Sequence, residues 1–138
     1  MDLDDCFKKE LIKKTKIDRE LISSLIEMSE ISEKTVKTAE INQMNISAYV
    51  SLAYESLRQV LEALCISKGY KVLSHICLGE LLASIIEEFD YNEFDRIRWI
   101  RNSINYYGKK IDFEQGKEII NKIFLIKKKI LKKYHLEM

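Results

Sequence analysis

The sequence predicts an all-α protein, and its turn residues, apolar periodicity and short connections carry that prediction. Proline is absent and only four glycines occur in 138 residues, so the chain has few of the residues that turns between strands require. Apolar residues recur at helical spacing over several long segments. The connections between these segments are short, which favours a single domain spanning residues 1–138. Its predicted architecture is an antiparallel four-helix up-and-down bundle core with one or two additional helices.

The first two elements are predicted to be a short helix followed by a long one. Apolar residues at every fourth position predict a helix over Leu3–Lys14. Asp18 is placed to cap a second helix that runs to about Ile41. The predicted core-facing stripe of this helix weakens at its serines and consists of Leu21, Ile22, Leu25, Met28, Ser32, Val36 and Ala39.

The strongest helical pattern lies in the middle of the chain. Asn45 or Ser47 can cap its start, and Gly69 is predicted to end it in a left-handed turn. Ser74 then caps a fourth helix that extends to Phe89. The apolar positions of the central helix are Tyr49, Ala53, Leu57, Val60, Leu61 and Leu64.

Two further helices complete the prediction. Asp90 and Glu93 have the spacing of a capping box and open a fifth helix that ends near Gly108, and Asp112 opens a sixth. The lysines of Lys127–Lys133 are expected to be solvated at the end of that last helix. The apolar residues of this helix occupy more than one of its faces, so the helix is expected to be buried on two sides. This favours a homodimer. They are Ile119, Ile120, Ile123, Phe124, Ile126, Ile130 and Leu131.

Composition excludes several classes of protein. The net charge is +1, so a nucleic-acid ligand would need a local basic patch. No apolar run approaches the ~20 residues of a membrane span, and no metal-ligand or cofactor motif is present. Cys6, Cys65 and Cys77 form no C-x-x-C pair. They are predicted to be reduced core residues of a cytoplasmic protein.

The fifth helix carries the candidate site. On a helical wheel Ile97, Ile100 and Ile104 form its core stripe, and Tyr107 borders that stripe on one side. A set called here the polar fan spreads from the other side. An Arg beside Asn and Tyr suits a phosphate, because its donors form a rigid fork. The alternative is a solvated face in which the asparagines satisfy nearby backbone groups. The polar fan consists of Arg101, Asn105, Arg98, Asn102 and Tyr106.

Two segments resemble the HEPN superfamily, small helical domains named for nucleotide binding in higher eukaryotes and prokaryotes. They are "YESLRQVLEALCISKGYKVLSH", Tyr54–His75, and "RIRWIRNSINYYGKKI", Arg96–Ile111. The family motif is an Arg, often followed by Asn, with a His a few residues further on. Counted from Arg101, that His falls at position 106, 107 or 108, which here hold Tyr, Tyr and Gly. The motif His is therefore replaced.

The resemblance implies a dimer whose two motifs face one cleft. Many family members are metal-independent ribonucleases that act as toxins, others are non-catalytic, and some are paired with a minimal nucleotidyltransferase that acts as antitoxin. In a subset that partner silences the toxin by adenylylating a Tyr near the motif. Carried onto this chain, the catalytic positions are Arg101, Asn102 and Tyr106, with no metal or cofactor. The predicted binding positions are Arg98 and Asn105 of the polar fan, together with Tyr107.

The replaced His leaves two functions open. Metal-free RNA cleavage needs a group that accepts the 2′-OH proton, and a Tyr with the ordinary pKa near 10 is ionised in only about one molecule in a thousand at pH 7. His75, at a helix start, is expected to cap or pack, and His135 lies in the C-terminal tail. One function is a non-catalytic dimeric module that binds RNA, a nucleotide or a partner protein. The other is a divergent ribonuclease toxin that uses Arg101, Asn102 and Tyr106.

Overall fold

A computed structural model describes residues 1–136 and confirms the all-α antiparallel bundle, with 71% of these residues helical. In chain order the elements are α1 Leu3–Lys8, β1 Ile12–Lys14, α2 Arg19–Thr38, α3 Ile46–Ser67, β2 Tyr70–Val72, α4 His75–Ile85, α5 Tyr91–Tyr107 and α6 Phe113–Lys133. Helix α3 contacts α2, α4, α5, α6 and β2, so it lies at the centre of the bundle. No helix in residues 1–136 is both long and apolar enough to cross a membrane.

Helix α3 supplies most of the core. Its apolar residues occupy nearly its whole circumference, and twelve of its 22 residues are buried. Gly116 of α6 lies directly against Ile46 at the start of α3, so the two helices cross closely there. The fully buried large side chains of α3 are Ile46, Tyr54, Leu57, Leu61 and Leu64.

The predicted helix starts at Asp18, Ser74, Asp90 and Asp112 are confirmed. Each side chain accepts a hydrogen bond from a backbone N–H in the first turn of its helix, such as Leu21 N to Asp18 Oδ1 at 3.0 Å. These caps satisfy donors that have no partner within the helix. The left-handed turn at Gly69 after α3 is confirmed as well, with φ of +87°. Helix α5 ends at Tyr107, as predicted, and Gly108 after it is also left-handed, with φ of +64°.

Neither Asn45 nor Ser47 caps α3 with its side chain, contrary to the prediction. Asn45 occupies the N-cap position, but its side chain makes no capping bond to the helix and accepts from the N–H of Asn42 instead. Ser47 Oγ accepts from Ile111 N at 2.8 Å. Gln43 donates to the carbonyl of Ile111 at 3.1 Å. These polar groups tie the α5–α6 connection to the start of α3, and this fixes where α5 ends.

The predicted first helix is wrong beyond Lys8. The chain reverses at Glu10, whose φ is +58°, and then enters β1, which pairs antiparallel with β2. Ile12 lies opposite Val72 and is 2% exposed, because the pairing of β1 with β2 holds it against the core. The helical spacing of Leu3, Phe7 and Leu11 therefore extends past the true end of the helix.

The predicted core-facing stripe of α2 is right in its second half and wrong in its first. Ser32 and Val36 are buried as predicted. Leu21 and Met28 are 43% and 47% exposed, whereas Ile26 and Ser29 are buried instead. Small serine side chains let α2 approach α3 closely, and Ser29 Oγ donates to the Ser56 carbonyl at 2.6 Å. Helix α2 also ends at Thr38, short of Ile41, and α4 ends at Ile85, short of Phe89.

Lys127 corrects the expectation that the lysines of the last helix are solvated. Its side chain is 1% exposed, and its Nζ lies 2.8 Å from Glu33 Oε1 and donates to the Ser29 carbonyl at 3.0 Å. Burial acts to raise the pKa of Glu33, but the hydrogen bonds and charges of Lys127 and Lys37 outweigh it and hold that pKa below its usual range. A buried, paired charge thus joins α6 to α2.

A disulfide between Cys6 and Cys77 corrects the prediction of three reduced thiols. Helix α1 packs on α4, and the two Cα atoms are 5.8 Å apart, which is a distance that a disulfide spans. Cys65 is a free, buried thiol, as predicted, and burial raises its pKa to about 12.

The close crossing of α3 and α6 gives a stability prediction. A Cβ at position 116 would clash with Ile46 Cγ1 and lie 3.0 Å from its Cδ1. We expect Gly116→Ala to lower the free energy of unfolding by about 1–3 kcal/mol, although Ala is the better helix former. Urea unfolding measures this loss. In an Ile46→Ala background the same substitution should cost less, and an equal cost in both backgrounds would contradict the crossing.

The disulfide gives a second prediction. It closes a loop with a sequence separation of 71 residues, which corresponds to roughly 4 kcal/mol of chain entropy. Replacing both Cys6 and Cys77 by Ser should lower the free energy of unfolding by about 2–4 kcal/mol. Reductant should destabilise the wild type similarly and leave the double variant unchanged. Detection of three alkylatable thiols in the unreduced, denatured protein would refute the pairing.

Candidate functional site

Arg101 is the centre of the candidate site. Its guanidinium carbon lies 5.3 Å from the ring centre of Tyr54 on α3 and 5.6 Å from that of Tyr106. Nη1 donates to Asn102 Oδ1 at 3.1 Å and to the Tyr106 hydroxyl at 3.4 Å. The structure thus brings together Arg101, Asn102 and Tyr106, the residues to which the resemblance assigns the catalytic positions.

Arg101 differs from the other arginines of α3 and α5. Arg58, Arg96 and Arg98 each form an ion pair with a carboxylate. Within residues 1–136, Arg101 forms no ion pair with a carboxylate, and its Nε is buried without a hydrogen-bond partner. A guanidinium that is half-buried and lacks a counter-charge is an unpaired positive charge beside the surface.

The predicted binding residues occupy different surroundings. Arg98 lies 2.7 Å from Asp95, so its charge is already neutralised. Asn105 Oδ1 accepts from Ser51 Oγ of α3 at 2.8 Å, which leaves its amide nitrogen free for a ligand. Tyr107 is 73% exposed, and within residues 1–136 no hydrogen bond or cation–π contact joins it to Arg101. The structure therefore separates Tyr107 from the polar fan.

A line of polar residues on α3 borders the polar fan, and we call it the polar seam. Within it Arg58 forms ion pairs with both Glu55 and Glu62, and its Nε donates to Glu55 Oε1 at 3.0 Å. The hydrogen bonds from Arg58 lower the pKa of Glu55, and the charges of Arg58 and Arg101 add to them. Together they outweigh burial, which acts to raise it, and hold that pKa below its usual range. The polar seam consists of Ser51, Glu55, Arg58 and Glu62, which are all partly exposed.

Tyr54 and His75 form a hydrogen bond that sequence reasoning missed. The Tyr54 hydroxyl and His75 Nδ1 are 3.1 Å apart. Burial raises the pKa of Tyr54 to about 12, so its phenol is protonated at neutral pH. Because His75 Nδ1 is the hydrogen-bond partner of this phenol among residues 1–136, we assign the phenol as donor and His75 the tautomer with its proton on Nε2. Tyr54 begins and His75 ends the first segment that resembles the HEPN family. Their places at the two ends of that segment were the sequence signal that could have pointed to them.

His75 is held as a neutral imidazole. Burial, and then the charges of Arg101 and Arg58, lower its pKa from 6.5. Its ring lines a pocket of about 80 Å³ that also includes Glu62, Ser74 and Leu78. A neutral imidazole whose Nδ1 accepts from Tyr54 offers an N–H donor, rather than a free base, to a ligand at this pocket.

The site contains no cluster that suits a metal. Residues 1–136 include no group of three or more His, Cys, Asp or Glu side chains with ligand geometry. Comparisons with models of known families, with curated proteins and with solved structures found no match. Function must therefore be inferred from the geometry around Arg101.

The lowered pKa of His75 predicts a pH-dependent stability. The unfolded chain binds this proton more readily than the folded chain, because the ordinary pKa is 6.5 and the folded value is lower. The full stability is present above pH 6.5 and is lost as the pH falls through the folded-state pKa. NMR titration of the His75 ring should give a value below 6.5, with His135→Gln to assign the signals.

His75→Asn is the matched control, since its side-chain oxygen replaces Nδ1 as acceptor and does not titrate in this range. That variant should lose the stability change of this pH window. A His75 pKa at or above 6.5 would show that the positive surroundings do not act on it.

Proposed function

We propose that this chain is a HEPN-like helical protein of a toxin–antitoxin or nucleotidyltransferase-associated system, and that it is a non-catalytic module that binds RNA or a nucleotide. The observation that carries the proposal is the charge of Arg101, which has no ion-pair partner among residues 1–136 and whose Nε is buried without a hydrogen-bond partner. A phosphate is the anion that best matches a guanidinium fork surrounded by neutral donors.

The neighbours of Arg101 can supply such donors. Asn102 has an amide nitrogen besides the oxygen that accepts from Arg101, and Tyr106 has a hydroxyl proton. Asn105 contributes a second amide nitrogen, because only its oxygen is engaged by Ser51. A phosphate at Arg101 would therefore meet one charged and several neutral donors, which is an arrangement for binding without a metal.

Binding is favoured over cleavage because the site lacks a free proton acceptor. Tyr replaces the motif His, and a tyrosine is a weak base at neutral pH. His75 is close to the same tyrosine ring as Arg101, but its Nδ1 accepts from Tyr54 and its Nε2 carries the proton. The alternative, a divergent metal-independent ribonuclease toxin silenced by adenylylation of a Tyr, needs one of these groups to act as base.

The proposal includes the partners that the resemblance implies: a second copy of the chain and a minimal nucleotidyltransferase. It also includes a cytoplasmic location. The Cys6–Cys77 disulfide weighs against that location, because cytosolic reductants keep most thiols reduced. Adenylylation would have accessible targets, since Tyr106 and Tyr107 are 67% and 73% exposed.

Arg101→Ala tests the proposal, with Arg96→Ala as a matched control. Arg96 is on the same helix but is paired with Glu93. Fluorescence anisotropy with a labelled RNA oligonucleotide should show about a tenfold or greater loss of affinity for Arg101→Ala and little change for Arg96→Ala. The slope of log affinity against log salt should fall by about 0.7, which is the loss of one phosphate contact on a single strand.

The same proteins test for catalysis. The wild type, incubated with RNA in chelator, should leave the RNA intact. Cleavage that disappears in Arg101→Ala would replace the non-catalytic proposal by the ribonuclease alternative. Equal RNA affinity of the wild type and Arg101→Ala would remove Arg101 from the binding site.

A further inference from the structure

A cavity of about 370 Å³ lies between the α4–α5 connection and the second half of α6. Its apolar wall includes the buried side chains of Ile86, Phe94 and Ile130 and the partly exposed ones of Phe89 and Ile126. Ligand pockets of proteins commonly have volumes of about 300–1,000 Å³ and mostly apolar linings. No residue of the polar fan or the polar seam lines this cavity, so it is separate from the candidate phosphate site.

Seven charged residues also line the cavity, and three of them are already engaged. Glu93 pairs with Arg96 at 2.8 Å and lies 3.9 Å from Lys122. Asp90 accepts a hydrogen bond from the backbone N–H of Glu93 and so caps α5. These three side chains therefore belong to the structure of α5 and its contact with α6.

The other four charged residues form no ion pair among residues 1–136. Glu87 and Glu88 are on the α4–α5 connection, whereas Lys129 and Lys133 are on α6, and all four are exposed. Lys133 Nζ donates to the backbone carbonyl of Glu87 at 3.4 Å, so an ammonium group is next to the segment that carries both carboxylates. The cavity thus presents both signs of charge beside one apolar wall.

We propose that this cavity binds an apolar α-amino acid in its zwitterionic form. The ligand carboxylate pairs with Lys129 and Lys133, its ammonium group pairs with Glu87 and Glu88, and its side chain contacts the apolar wall. A fatty acid or an amine of the same size would satisfy one pair of these charges and meet the other pair as like charges. This ligand goes beyond the proposed function and does not depend on Arg101.

L-Phenylalanine and analogues that each lack one of its features test the ligand class. NMR titration with L-phenylalanine should shift the backbone signals of Glu88 and Ile130, with a Kd on the order of 0.1–1 mM for a ligand of this size. Phenylpropionate lacks the ammonium group and phenethylamine lacks the carboxylate, so each should bind about tenfold or more weakly. Glycine keeps both charges but has no apolar side chain, and it should cause no saturable shift.

Two results of these titrations would overturn the inference. One is equal affinity for L-phenylalanine and for either singly charged analogue. The other is the absence of saturable shifts with L-phenylalanine at about 10 mM, which is well above the expected Kd.

Substitutions test the charged residues, with Lys132→Met as the matched control. Lys132 is an exposed neighbour on the same helix that does not line the cavity. Lys133→Met should weaken binding of L-phenylalanine about tenfold and should not weaken binding of phenethylamine, which has no carboxylate. Glu88→Gln should weaken binding of L-phenylalanine similarly and should not weaken binding of phenylpropionate. Unchanged affinity in both variants, or an equal loss in Lys132→Met, would contradict the assignment.

An extended peptide of a partner protein is the competing occupant of this cavity. It would insert an apolar side chain without offering free charges at either end, as N-acetylphenylalanine amide does. Binding of that neutral compound as tightly as L-phenylalanine would make the cavity a peptide site and overturn the inference. Arg101→Ala should bind L-phenylalanine with the affinity of the wild type, and a loss in that variant would refute the separation of the two sites.

Discussion

The burial of α3 is the constraint on which the rest of the structure depends. This helix is apolar around nearly its whole circumference, so it is stable only if other elements cover it on almost every side. Helices α2 and α6 cover most of it, while α4, α5 and strand β2 cover the remainder. The close approach of α6 at Gly116 and of α2 at Ser29 follows from this demand, because only small residues let neighbouring backbones come near.

The candidate site lies beside the partly exposed side of α3, which the neighbouring helices do not bury. The polar seam is the side of α3 that no helix buries fully, and its Glu55–Arg58–Glu62 ion pairs neutralise charges that water only partly reaches. Tyr54 is on the adjacent face and belongs to both regions: its ring packs on Phe94 in the core, and its hydroxyl meets His75 at the edge. Because Arg101 packs over the same ring, the position of the candidate site is set by the packing of the core.

Local signals in the sequence were sufficient for much of this architecture. Caps and the glycine turns depend on a few neighbouring residues, so Asp18, Ser74 and Gly69 were readable. The proximity of Arg101, Asn102 and Tyr106 likewise follows from spacing within one helix. What could not be predicted depends on partners far along the chain. Strand β1 needs β2, the burial of Lys127 needs Glu33, and the hydrogen bond of His75 needs Tyr54. Helical periodicity carries no information about such partners.

The direction of one hydrogen bond decides what a histidine beside an arginine can do. A buried phenol must give its proton to an acceptor, and the acceptor that Tyr54 meets within residues 1–136 is His75 Nδ1. When Nδ1 of His75 accepts from the Tyr54 phenol, the proton of the neutral imidazole is on Nε2. Nε2 can then donate a hydrogen bond to an anion, but it cannot accept a proton. Positive neighbours lower the pKa of His75 and keep the ring neutral, while a bound phosphate would offset those charges. A surface of arginine, amide, phenol and imidazole donors is therefore matched to holding a phosphate group, and a cleavage step would first require Tyr54 to find another partner.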